Sequence, residues 1–377
     1  MANSDRPPSA GDRGAGFIPY GHQWVDDDDI AAVAAVLRSD WLTSGPAVAD
    51  FEECLTSVTG ARFAVAFCNG TAALHAACAA AGLGPGDRVA TSTLSFVASA
   101  NCIRHVGAEP VLLDIDPTTR NLNIEAFNAL MDDQPLTGLV AVHFAGLPID
   151  LTKIKRPRIL IEDAAHALGA RTAFGPIGNC ANSDMCCFSF HPVKAITTGE
   201  GGAVTTNSAV LAEALRRFRN HGIRPTPELG GWAYDVVAPG WNYRLTDIQA
   251  ALGTRQLSKL GSFIKRRNEL AARYAERLRE LPVGLPPSAP EGLHHAWHLY
   301  PIEVPDRNRV YNAMRSAGIG VQVHYMPIHL MSAYRDSEHA SLPAAELLSS
   351  SLLSLPLFPG LSDRIQDRVV EDLSRSL

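Results

Sequence analysis

The chain has 377 residues, enough for one large domain and a smaller one, each with its own core. Hydrophobic residues make up 46% and charged residues 19%, the balance of a globular protein rather than a disordered one. A formal charge of −6 without any Lys/Arg cluster argues against nucleic acid as a partner, and no apolar run reaches the ~18 residues of a membrane span. Residues 1–16 are polar and rich in Gly, Pro and Ser; they lack the apolar core of a signal peptide and read as a flexible tail. Cys54, Cys68, Cys78, Cys102, Cys180, Cys186 and Cys187 show no paired C-x-x-C spacing, and several lie in apolar stretches, as reduced thiols of a cytoplasmic protein do.

In chain order, Asp26–Asp29 precede IAAVAAVLRS, where Ile30, Val33, Val36 and Leu37 follow a helical period. Four acidic residues there suit the positive end of a helix dipole as a solvated first turn, with a metal site as the alternative. RFAVAFC (62–68) reads as a strand, after which Asn69-Gly70-Thr71 opens an Ala-rich helix. DRVATS (87–92), EPVLLDID (109–116), GLVAVHF (138–144), RILIED (158–163), DMCCFSF (184–190) and GGAVTT (201–206) read as further strands. Their unbroken apolar runs predict strands covered on both faces, hence an α/β sheet of parallel character within a large domain spanning 17–250. Thr246 to Glu280 is mostly helical, with Ile248, Ala251 and Leu252 and then Leu257 and Leu260 spaced for a buried stripe. The Pro-rich LPVGLPPSAPEG (281–292) reads as a linker inside a smaller α+β domain, residues 251–377, with strands WHLYPIEV (297–304) and GVQVHY (320–325) around a helix near Arg307–Ala317.

Lysine usage is informative because lysine is scarce: only Lys153, Lys155, Lys194, Lys259 and Lys265 occur. Lys153 and Lys155 sit in a polar loop, while Lys259 and Lys265 belong on the solvated face of an Arg-rich helix. Lys194 follows a strand in a His-Pro-Val-Lys turn and precedes the flexible ITTGEGG. A buried ammonium is costly, and desolvation favours the neutral amine that a Schiff base needs. Pyridoxal 5′-phosphate (PLP) is the cofactor that such an amine would hold; a surface loop lysine is the alternative. PLP needs a carboxylate to keep its pyridine nitrogen protonated. Asp163, at the carboxyl end of a strand, stands where ligands of open α/β sheets gather, although Asp also suits a helix N-cap. Asn69-Gly70-Thr71-Ala72 between strand and helix has the small residues and N–H donors of a phosphate site, or of a capped helix alone.

Other features point away from rival chemistries. Gly82-Leu83-Gly84-Pro85-Gly86 follows a helix rather than a strand, unlike a dinucleotide fingerprint. His294, His295 and His298 lack suitable Cys or carboxylate neighbours, so no metal is expected there. Neither G-x-S-x-G nor H-E-x-x-H occurs.

Together, IPYGHQWVDDDDIAAVAAVLRSDWLTSGP (18–46), NGTAALHAA (69–77), IEDAAHALGA (161–170), FSFHPVKAITTGEGG (188–202) and WNYRLTDIQAALG (241–253) resemble the DegT/DnrJ/EryC1/StrS family of PLP-dependent nucleotide-sugar aminotransferases. The likeness runs in the family's order from about residue 17 to HYMPIHL (324–330). It implies a PLP-dependent transferase fold of aspartate-aminotransferase type (fold type I), with a large mixed-sheet domain and a smaller C-terminal α+β domain. It makes Lys194 the Schiff-base lysine and acid/base of the 1,3-proton shift, and Asp163 the partner of the pyridine nitrogen. His166 would lie near the ring and its 3-oxygen, Phe96 would stack on the ring, and Gly70, Thr71 and Ser189 would bind the phosphate. Asn242 would reach the phosphate from a partner subunit, which implies a homodimer with shared active sites.

FSFHPVK with ITTGEGG is similar to members that aminate C4 of a UDP-linked 4-keto-6-deoxy sugar. The likeness is closest to the transaminases that form UDP-4-amino-4,6-dideoxy-N-acetyl-β-L-altrosamine, a pseudaminic acid precursor, with L-glutamate as donor. His324, Tyr325 and His329 lie where such members meet the sugar nucleotide; packed side chains are the other reading of these three. Residues 172–183 depart from the family pattern. A C3 or other nucleotide-sugar aminotransferase of the same fold is the rival reading, and a noncatalytic PLP-fold sensor or scaffold is a second.

Overall fold

The computed structural model describes residues 16–377; apart from its last residue, the expected N-terminal tail lies outside them. The elements run α1 (Asp27–Leu37), α2 (Pro46–Thr59), β1 (Phe63–Phe67), α3 (Gly70–Ala80), β2 (Arg88–Ser92), α4 (Ala98–His105), β3 (Glu109–Leu113), α5 (Ile124–Asp133), β4 (Gly138–Val142) and β5 (Ile159–Asp163). Then follow β6 (Arg171–Thr172), β7 (Gly175–Pro176), β8 (Met185–Ser189), β9 (Gly202–Thr206), α6 (Ala209–Arg219), β10 (Ile223–Pro225), β11 (Tyr234–Val236) and α7 (Asp247–Arg277). The C-terminal part holds β12 (Tyr300–Glu303), α8 (Arg307–Ser316), α9 (Pro343–Ser351), β13 (Leu352–Leu355) and α10 (Asp363–Ser376).

All seven strands expected in the N-terminal half form one sheet in the order β1-β9-β8-β5-β4-β2-β3. Strands β8, β5, β4, β2 and β3 pair in parallel, and β9 runs against both of its neighbours, β1 and β8. Side chains alternate between the two faces of a strand. Ala64, Cys186, Phe188 and Ala203 accordingly pack beneath α2 and α7, beside Phe51, Leu257 and Leu260. Val65, Phe67, Cys187 and Val204 face α3, α4 and α6. Burial on both faces is why these strands read as continuous apolar runs.

A second core gathers Tyr300, Ile302, Val310, Met314, Leu353, Leu355, Val369 and Leu373 around the antiparallel pair β12–β13. Helix α7 serves both cores: Leu257 and Leu260 belong to the first, Leu270 and Tyr274 to the second. The expected 250/251 division therefore falls inside a continuous helix. Arg267, midway along α7 and 1% exposed, donates to the carbonyls of Trp297, His298 and Leu357 at 3.2, 3.3 and 2.9 Å. Burial lowers its pKa to about 10.

Three expectations change. In α1 the buried residue is Asp29, while Ile30 and Leu37 are exposed. Asp29 accepts from Lys259 Nζ at 2.8 Å and Gln256 Nε2 at 2.9 Å, and Asp26 caps the helix through the N–H groups of Asp28 and Asp29. Asp26 and Asp29 are thus bound to α7, while Asp27 and Asp28 stay exposed, and Lys259 pairs with Asp26 and Asp29 instead of facing solvent. The third concerns 320–325, which forms no strand and makes only an isolated bridge between Gln322 and Ser354. Its consecutive residues Gln322, Val323, His324 and Tyr325 all line one cavity, which the alternating faces of a strand would not allow.

Candidate active site

The carboxyl ends of the parallel strands open into a cavity of ≈ 780 Å³ lined by Gly70, Thr71, Phe96, Asp163, His166, Ser189, Lys194, His324 and Tyr325. Each of these residues was singled out from the sequence. The topology brings them together because β1, β5 and β8 end side by side: Phe67 and Ser189 both pair with Gly202, and Asp163 pairs with Cys187.

Asp163 ends β5, and the chain then turns without forming a helix, so the N-cap alternative falls away. Its Oδ1 accepts the Ala165 N–H at 3.2 Å and its Oδ2 accepts the Ser99 hydroxyl at 2.6 Å. Lys194 closes the turn begun by His191, its N–H donating to the His191 carbonyl at 2.8 Å. Burial lowers the pKa of the Lys194 amine to about 8, against the opposing pull of the Asp163 charge. The amine is therefore substantially neutral at mildly alkaline pH. Trapping of Lys194 by a simple aldehyde and a reductant, followed on its peptide by mass spectrometry, should rise about tenfold per pH unit and level off near pH 8. A yield that climbs on to pH 10, as for an exposed lysine, would contradict this environment.

Asn69 caps α3 by accepting the Ala72 N–H at 2.8 Å, which leaves the first N–H groups of the helix, Gly70 and Thr71, without intrahelical acceptors. Space there is limited. A Cβ on Gly70 would lie 2.8 Å from Ser189 Cβ, and one on Gly202 would lie 2.4 Å from the Asn69 carbonyl oxygen. Gly202→Ala must therefore displace the backbone that forms the anion cradle. It should cost about 3 kcal/mol of stability and weaken phosphate binding; a variant with the parental melting temperature and affinity would contradict that.

His166 is buried, its Nε2 3.0 Å from the Tyr325 hydroxyl, its ring 4.4 Å from that of His298, and its Nδ1 without a partner. Burial, then the Lys194 and His324 charges, hold its pKa well below the ordinary value. Burial also pushes the Tyr325 phenol up and lowers His324, bonded to Ser354 Oγ at 2.8 Å, to about 3. The wall beside Asp163 and Lys194 is therefore neutral, so the charges there act without nearby competition. Phe96 remains 55% exposed at the rim, which leaves its ring accessible.

Two expected residues lie elsewhere. His329 is buried outside the cavity, with Nδ1 2.7 Å from Thr93 Oγ1 and Nε2 3.2 Å from Glu346 Oε1, so both ring nitrogens are engaged by protein. This placement supports the packed reading of His329. Asn242 is exposed and outside the cavity of its own chain, next to Asn220 in an isolated bridge, whereas the adjacent Tyr243 lines the cavity. Conversely, sequence reasoning missed Tyr20, Ser95, Ser99 and His298. Tyr20 lay within the IPYGHQW segment and Ser95 and Ser99 flank Phe96, but only the fold brings them to Asp163 and His324.

A second cavity, ≈ 700 Å³, opens beside α5. The amides of Asn121, Asn128 and Asn179 in its wall each donate to main-chain carbonyls, leaving less polar capacity for a ligand. Among the described residues no group of three or more His, Cys, Asp or Glu side chains could hold a metal ion, and no helix is long and apolar enough to cross a membrane.

Residues 23–374 match the DegT/DnrJ/EryC1/StrS aminotransferase family. The spore coat polysaccharide biosynthesis protein SpsC of Bacillus subtilis is 36% identical over 94% of this chain and 96% of its own. Helicobacter pylori PseC, an aminotransferase involved in the biosynthesis of pseudaminic acid, superposes with a TM-score of 0.89 at 28% identity over 96% of this chain and 99% of its own. The PLP-form of the sugar aminotransferase Spr1654 of Streptococcus pneumoniae gives a TM-score of 0.87 at 28% identity over 96% of this chain and 98% of its own.

Proposed function

The chain belongs to the DegT/DnrJ/EryC1/StrS aminotransferase family of PLP-dependent sugar aminotransferases, and within it we propose that it moves the amino group of L-glutamate to C4 of a UDP-4-keto-6-deoxy-N-acetylhexosamine. The observation that carries the chemistry is a half-buried lysine, Lys194, whose amine has a lowered pKa and shares one cavity with an anchored carboxylate, Asp163, and a helix N-terminus. The C4 preference rests on the FSFHPVK and ITTGEGG segments around that lysine, with the PseC likeness in support.

The residues fit the cofactor. The Gly70–Thr71 N–H groups and Ser189 suit its phosphate, Lys194 Nζ its aldehyde, and Asp163 its ring nitrogen. Bound through Lys194, PLP supplies an electron sink that stabilises negative charge at the carbon losing its proton. Asp163, held from both oxygens, keeps the ring-nitrogen proton in place. Lys194 Nζ would hold the cofactor's aldehyde and, as a neutral amine, would be the base that takes the α-proton of glutamate. In the second half-reaction it returns a proton to C4 of the sugar, so 2-oxoglutarate and the amino sugar are formed in equal amounts. The neutral His166–Tyr325 pair forms the cavity wall beside this transfer, with the Tyr325 hydroxyl bonded to His166, and His324 lines the same cavity.

A homodimer with shared sites completes the proposal. Asn242, exposed on its own chain, reaches the partner's phosphate site. Ile30, Leu37, Trp41 and Leu42 along and after α1, with Leu229, Trp232, Tyr234 and Val236 around β10–β11, are exposed apolar side chains that a second copy would cover. The enzyme works in the cytoplasm. Incubation with L-glutamate and UDP-4-keto-6-deoxy-N-acetylhexosamine, followed by NMR of the product, should show a new C4 amine. Turnover only with 3-keto sugars, or only with dTDP-linked sugars, would replace this substrate assignment.

A further inference from the structure

The carboxylate of Asp163 is held from behind by Ser99, which is backed in turn by Ser95. Ser99, on α4 and fully buried, places Oγ 2.6 Å from Asp163 Oδ2. Ser95, 2% exposed, places Oγ 2.8 Å from Ser99 Oγ. Hydrogen-bond counting assigns the direction of this chain. A carboxylate only accepts, and Ser99 has one proton. That proton goes to Asp163 rather than to the Phe96 carbonyl, which lies further away at 3.2 Å. Ser99 Oγ is then the acceptor, and Ser95 must be the donor.

The other Asp163 oxygen accepts the Ala165 N–H at 3.2 Å, so both oxygens are anchored and the carboxylate cannot rotate freely. Titratable groups that feel its charge include Lys194, Tyr325 and the thiols of Cys102, Cys186 and Cys187. The Cys78 thiol and burial keep Cys102 protonated, and burial keeps Cys187 protonated, so neither adds a competing negative charge.

We propose that Ser99, backed by Ser95, is a positioning residue of the transamination: the directed chain Ser95 to Ser99 to Asp163 holds the carboxylate anionic and oriented towards the cofactor's ring nitrogen. This rests on the reading of Asp163 as the partner of that nitrogen. Without the Ser99 donor, the carboxylate loses one of its two anchors and is no longer held towards the ring nitrogen, weakening the electron sink.

The test is an absorbance pH titration of the PLP-loaded full-length enzyme, with steady-state kinetics, for Ser99→Ala, Ser99→Thr, Ser95→Ala and Asp163→Asn. In Ser99→Ala the transition of the Lys194-linked cofactor should move up by about half a pH unit, and kcat should fall about tenfold with the glutamate KM within about twofold. Ser99→Thr keeps the hydroxyl and should restore both. Ser95→Ala should move both in the same direction by less, and it carries the test if Ser99→Ala is recovered unfolded. If the serine variants leave titration and kcat at parental values while Asp163→Asn changes them, the serine chain is only structural and the proposal is overturned. If Asp163→Asn also changes neither, the reading of Asp163 falls, and the proposal with it.

Discussion

Lys194→Ala should lose transamination altogether, together with the visible absorbance of the lysine-bound cofactor. Two contributions disappear at once. A positioned proton-transfer group typically contributes about 10²–10⁴-fold, and the covalent attachment is lost as well, so the combined deficit should exceed about 10⁴-fold. Folding should not suffer. Burial disfavours the charged form of this amine, a cost that the Asp163 charge offsets only in part. The cofactor-free variant should therefore melt no lower than the cofactor-free parent. Lys194→Arg should be equally inactive, because guanidinium does not lose its proton at working pH. A Lys194→Ala enzyme of parental activity would overturn the site.

Asp163→Asn should lower kcat about 10³-fold while leaving cofactor and glutamate binding close to parental. The amide keeps the size of the carboxylate and one oxygen able to accept from Ser99, so packing around the buried side chain is conserved. What it lacks is the charge that holds a proton on the ring nitrogen, and only the step that develops negative charge depends on that proton. Loss in kcat rather than KM is the signature of a group that acts in the transition state. A loss below about threefold would contradict the assignment.

Legibility from the sequence followed the physical range of each signal. The strands of the sheet could be read because burial on both faces demands uninterrupted apolar residues, as in Val65–Phe67 and Leu139–Val142. Lys194 stood out because lysine is rare in this chain and its turn follows a strand end. The acidic first turn of α1 was misread for the opposite reason. Burial of Asp29 depends on Lys259 and Gln256, well over two hundred residues away, and nothing local announces such partners. The partners of His329 were hidden on the same ground, since Thr93 and Glu346 meet it only in the folded chain. The α2 helix starts at a glycine without a side-chain cap; its N–H groups are capped by Asp247, at 2.8 Å from Gly45 and 3.0 Å from Ala47.

By itself the sequence determined the α/β class and the family, and it singled out Lys194 and the carboxylate at a strand end. Each depends on residue type, local period or short spacing, which survive without coordinates. The tertiary structure alone decided that Ser95 and Ser99 stand behind Asp163, that His298 packs on His166, and that His329 faces away from the cavity. These are hydrogen bonds and ring contacts between segments far apart in the chain. They exist only once the sheet order and the turn after β5 bring those segments within a few ångströms of one another.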